Sequence, residues 1–209
     1  MSPASTLVLG LVLGLRHATD PDHVVAMGTI VTRDPRLRRA ILTGAWWGIG
    51  HTITVLVVGS LMLIGGVHVP DRTTNAMDLL VATMLVVLGV VALRTSRLAS
   101  APDAPRLGER LLVSPLRPLL IGIVHGLAGS AALTLVALAT IQDTRGAMLY
   151  LALFGVGTIV GMLVITTLLA VSLRWVGSRS EGLPVWIARV SGSLGVTAGL
   201  VVAARVLIQ

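Results

Sequence analysis

The 209-residue chain has no cysteine, no lysine, one phenylalanine, one tyrosine and few charges of either sign. Without cysteine there is no disulfide, no thiol redox chemistry and no thiolate metal site. Any metal site must therefore use imidazole, carboxylate, hydroxyl or backbone oxygen. Charged residues make up 12% of the chain, about half the share of an ordinary soluble domain. Hydrophobic residues make up 55%, and uncharged runs of membrane-spanning length recur, leaving almost nothing for a soluble domain. The formal charge of +7 does not point to nucleic acid, because all sixteen basic residues are arginines and most lie in short loops between apolar runs. The N-terminus shows no basic segment followed by a small-residue cleavage site, so no cleaved signal peptide is expected and the first span serves as the insertion signal.

What is present is a series of apolar segments. Six spans can be drawn at roughly 5–31, 41–65, 77–95, 113–141, 147–172 and 185–207. The runs are too continuous and the loops too short for barrel strands, so the expected fold is an all-α membrane protein with six transmembrane helices. Twelve loop arginines fall on one side, among them Arg33, Arg36, Arg38 and Arg39, against Arg72, Arg145 and Arg205 on the other. That asymmetry puts both termini outside, with Trp175 and Trp186 at an interface. The expectation is one multi-pass transmembrane domain, 1–209, in a bacterial cytoplasmic (inner) membrane.

The two halves, about 1–100 and 111–209, resemble each other. LGLRH (13–17) matches IGIVH (121–125), WGIGHT (47–52) matches FGVGTI (154–159), and LGVVA (88–92) matches LGVTA (194–198). The offsets are 108, 107 and 106 residues. Three ordered matches at nearly one offset predict a duplicated three-helix unit, and an odd number of spans per unit makes the copies inverted. Such 3+3 inverted repeats are a common plan of secondary transporters, with the site near the midplane. Small-xxx-small pairs, including Gly44/Gly48 and Gly122/Gly126, predict close helix packing.

One stretch breaks the apolar pattern. GLRHATDPDH (14–23) places Arg16, His17, Asp20, Pro21, Asp22 and His23 inside the first span. Arg16, Asp20 and Asp22 would together cost roughly 7 to 11 kcal/mol if central, ionised and unpaired in lipid. They must face the bundle interior, pair, or bind something. Pro21 cannot donate a backbone hydrogen bond and biases Asp20 away from helix. A regular helix would place Asp22 and His23 at about 140° and 240° from His17, so the three would not converge. The first helix is therefore expected to be broken near Pro21, as in transporter helices that build ion sites. His51, with Gly44, Gly48 and Thr52, lies on a small-residue face of the second span. His125 does the same on the fourth span with Gly122 and Gly126, nearer one end. His and carboxylate without thiolate suit a borderline divalent ion. The expected ligands are His17, Asp22, His23 and His51. Asp20 and His125 are secondary ligands or outer partners, and Arg16 is a charge partner for an Asp. His68 and Asp71 are read as bland, and Ser130 and Thr52 as packing or hydrogen-bonding groups rather than ligands.

HATDPDH (17–23) fits H-x4-D-H, the signature of the nickel/cobalt transporter family, on a membrane span as it is there. GIGHT (48–52) resembles that family's His-bearing stretch on the following span, and with VHGLAGSAAL (124–133) the chain is similar to its short members, the urease-accessory-type permeases. The resemblance implies movement of Ni²⁺ or Co²⁺ across the cytoplasmic membrane. It carries metal-ligand roles over to His17, Asp22, His23 and His51. The metal ion is then substrate rather than cofactor, and a cytoplasmic metallochaperone is a candidate partner. Long members have eight spans and an acidic motif on a later span, where this chain reads GLAGSAAL. The efflux branch often carries a His-rich loop, which is absent here and favours uptake. Two other readings compete. GLAGSA invites comparison with rhomboid-type intramembrane hydrolases, yet spans five and six contain no His to serve as base, and HExxH is absent. A non-transporting metal-binding membrane subunit would use the same site.

Overall fold

The computed structural model describes residues 3–32, 36–65, 70–98, 116–127, 141, 143–178 and 182–208. Among these, all regular structure is helical: α1 (Pro3–His17), α2 (Pro21–Val31), α3 (Leu37–Gly65), α4 (Asp71–Leu98), α5 (Leu116–Leu127), α6 (Thr144–Gly177) and α7 (Leu183–Ile208). Four segments are long and apolar enough to cross a bilayer: Leu37–Gly65, Arg72–Ser96, Thr144–Gly177 and Val185–Ile208. The shortest has 24 residues, about 36 Å at helical rise, against a hydrocarbon core of about 30 Å. Their outward faces carry Val57, Leu61, Val87, Val164, Leu168 and Leu200, all exposed. A water-soluble bundle would put polar residues there, so these helices build a multi-pass membrane protein.

The stretch 5–31, expected as one span, is two short helices, α1 and α2, separated by Ala18–Asp20. The span expected at 113–141 is helical over Leu116–Leu127, and 128–140 lies outside the described residues, Ser130 included. His68 also lies outside them.

α4 packs along α7, α3 along α6, and α1 against α6, while α2 rests on α7, α4 and α6. Small residues set these contacts. A side chain at Gly14 would collide with the Phe154 carbonyl of α6, and one at Gly122 with the Trp47 carbonyl of α3. Gly44 and Gly48 lie against Met162 and Ile159 of α6, and Gly126 against His51. Two apolar clusters flank the centre. One contains Trp47, Met27, Leu85 and Met162, and the other Val55, Tyr150, Leu151 and Phe154.

Candidate metal centre

The centre is built at the gap between α1 and α2. The amides of Thr19 and Asp20 turn back to the carbonyls of Arg16 and His17, closing the last turn tightly at 2.8 and 3.0 Å. Asp20 is extended, with φ −59° and ψ 142°, as a residue before proline prefers. Pro21 then occupies the first turn of α2, where its missing N–H has no intrahelical partner to lose. Asp20 is a good N-cap residue type, but its carboxylate makes no cap bond and instead accepts from Nδ1 of His17 at 2.7 Å.

The break brings together groups that a continuous helix would splay. The His17 and His23 rings are 4.6 Å apart, and His51 on α3 lies 5.0 and 5.2 Å from them. His125 on α5 lies 4.2 Å from His23. Asp22 bridges two rings, 2.9 Å from Nε2 of His125 and 3.3 Å from Nδ1 of His23. All four imidazoles are buried, while Asp20 and Asp22 are 46% and 39% exposed, so the cluster has a wet acidic edge and a dry imidazole interior. Phe154 stands 5.4 Å from the His17 ring and Trp47 5.7 Å from that of His125.

With His17 neutral, the carboxylate contacts assign the proton positions. An ionised carboxylate only accepts, so His17 keeps its proton on Nδ1 and leaves the Nε2 lone pair free. Nε2 of His51 donates to that lone pair at 3.1 Å. Among the described residues, Nε2 of His23, Nδ1 of His51 and Nδ1 of His125 are buried without a hydrogen-bond partner. An unpartnered buried polar atom is costly, and three imidazole nitrogens so placed in one cluster are poorly explained by packing.

Two sets of donors could each hold one ion: His17, His23 and His51, and Asp22, His23 and His125, with the ligand atoms of each set within 4.8 Å of one another. Two nitrogens at about 2.1 Å from one cation are about 3.0 Å apart at a right-angled site and about 3.4 Å at a tetrahedral one. The 3.1 Å between His17 and His51 falls in that range, and the 2.9 Å between His125 and Asp22 is close to it. Among the described residues, the charge pairing expected of Arg16 is not seen. Arg16 is exposed, and Asp20 and Asp22 are engaged by imidazoles. One residue along a helix is a turn of about 100°, which takes Arg16 off the face that carries His17. Sequence reasoning missed Trp47 and Phe154 as walls and the Asp22–His125 contact. The matched offsets of WGIGHT and FGVGTI were the signal for the two walls.

Fold and site together define a helical multi-pass membrane protein with a His/carboxylate cluster at a helix break. The chain is 38% identical over 176 residues to the urease accessory protein UreH of Bacillus sp. (strain TB-90), covering 80% of this chain and 77% of that protein. It therefore belongs to the UreH family of short permease-like proteins within the nickel/cobalt transporter superfamily. A shorter match, 32% identical over 68 residues, is to a high-affinity nickel transport protein of Cupriavidus necator, covering 32% of this chain and 19% of that one. No family model and no solved structure matches the chain.

Proposed function

We propose that the protein is a secondary transporter that moves Ni²⁺ and/or Co²⁺ across the bacterial cytoplasmic membrane, in the direction of uptake. The observation that carries this reading is the buried imidazole cluster at the α1–α2 break, with His17 and His51 spaced as two ligands of one ion. Both relatives are accessory or transport proteins, and one is named for nickel transport. The ligand set is His17, Asp22, His23 and His51, with His125 joining through Asp22 and Asp20 orienting His17. A carboxylate that holds the outer nitrogen of a ligand imidazole fixes its tautomer and raises its basicity.

In this reading the chain crosses the membrane six times as a 3+3 inverted repeat with both termini outside. Contacts related by the repeat offset support it. Gly14 meets the Phe154 carbonyl as Gly122 meets that of Trp47. Gly157 meets the Leu11 carbonyl as Gly50 meets that of Leu119. Gly161 meets Ala18 as Gly126 meets Thr54. Each pair interchanges at an offset of 107 or 108 residues, as a pseudo-twofold axis requires. Rocking of two such units about a midplane site is the usual route to alternating access.

The test is total cellular metal in cells expressing the wild type or His17→Ala. Uptake predicts higher Ni or Co with the wild type, lost in the variant. Lower metal with the wild type would mean efflux, and no change for any divalent metal would reject transport.

A further inference from the structure

Each donor set contains one histidine related to the other by the repeat. An offset of 108 takes His17 to His125, and one of 107 takes Trp47 to Phe154. The rings pair accordingly, His17 with Phe154 and His125 with Trp47. Each of these histidines is also held by one carboxylate, His17 by Asp20 at 2.7 Å and His125 by Asp22 at 2.9 Å. His23 lies between them and belongs to both sets. We propose that the cluster contains two cation positions, His17–His23–His51 and Asp22–His23–His125, filled alternately, and that the ion passes from one to the other across His23 during transport.

This inference rests on the transport reading above and adds a second position to it. A single ion cannot engage all the donors. Ligands about 2.1 Å from one ion lie within about 4.2 Å of each other. His51 and His125 share no donor set whose ligand atoms lie within 4.8 Å of one another. Filling both positions at once is disfavoured, because two dications sharing one imidazole in a dry interior repel strongly. His23 is suited to hand an ion over. Its Nδ1 faces Asp22 at 3.3 Å, and its Nε2, on the far side of the ring, has no hydrogen-bond partner. The positions also differ in chemistry. One offers only imidazole, and the other adds a partly exposed carboxylate, a harder ligand that gives the ion an exit toward water.

The experiment uses the purified full chain in detergent, titrated with Co²⁺ and followed by its visible absorption, alongside cellular metal content. The wild type should bind one Co²⁺ per chain. His125→Ala should still bind one, at the His17–His23–His51 position, which also reports that it is folded, while transport falls at least about tenfold. His51→Ala should bind one Co²⁺ with a spectrum altered toward carboxylate ligation, again with transport reduced at least about tenfold. His23→Ala should lose binding. Wild-type transport by His125→Ala, two Co²⁺ bound at once, or no binding by His51→Ala would each overturn the two-position inference and leave the transport reading standing. A wild type that binds neither Co²⁺ nor Ni²⁺ would overturn both.

Discussion

α1 and α5 are alike up to their histidines and unlike after them. Each runs through a glycine three residues before the histidine, each lays that glycine on a carbonyl of a long neighbouring helix, and each turns its imidazole toward an aromatic ring. Beyond His17 comes ATDPDH, which breaks the chain and delivers Asp20, Asp22 and His23; beyond His125 comes GLAGSAAL, which carries no acid and no further histidine. Packing and chemistry are thus separable in this fold. Both halves keep the small residues that let helices touch, and one half alone supplies most of the donors. A scaffold contact needs only the absence of a side chain, whereas a cation cluster needs several donors converging from places that a regular helix keeps apart.

The comparison can be broken from the scaffold side. Gly14→Val and Gly122→Val each push a side chain into backbone, and each should destabilise the protein by about 1–3 kcal/mol. The two falls in melting temperature in detergent should match. A large fall for one and none for the other would show that the halves do not carry equivalent contacts. From the chemical side, the halves should differ. Asp20→Ala removes the acceptor that orients His17 and should weaken Co²⁺ or Ni²⁺ binding by about 10- to 100-fold, with little change in melting temperature. Asp20→Asn, which keeps an acceptor, should recover part of that loss. Unchanged affinity in Asp20→Ala would remove Asp20 from the site. The smallest effect is expected at Thr52, whose hydroxyl donates to the Gly155 carbonyl at 3.1 Å between α3 and α6. Thr52→Val should lower stability by about 0.5–1.5 kcal/mol and leave metal affinity unchanged. A loss of affinity there would make Thr52 part of the centre, despite its bond to Gly155.

Much of the centre could be read from residues close in sequence. Pro21 and the residue before it obey local backbone rules, so the break is legible in Asp20-Pro21-Asp22 without knowledge of any neighbour. The glycine faces of the helices now labelled α3 and α5 were visible for the same reason, because helical periodicity is local. Pairing of Arg16 is not legible in the segment, because it depends on which way each side chain leaves its helix. The Asp22–His125 bond was not legible, since it joins residues 103 apart in sequence. Nothing near His125 says which neighbour its ring will reach.

The sequence by itself determined that this chain is apolar, helical, free of thiols and interrupted at Pro21 by donors that lipid would not tolerate unpaired, because composition and backbone sterics act within a few residues. Tertiary structure alone decided which donors meet. It places His51 against His17, His125 against Asp22, and His23 between the two sets. Those distances follow from how closely glycine-faced helices approach, and that is settled only when the whole bundle is packed.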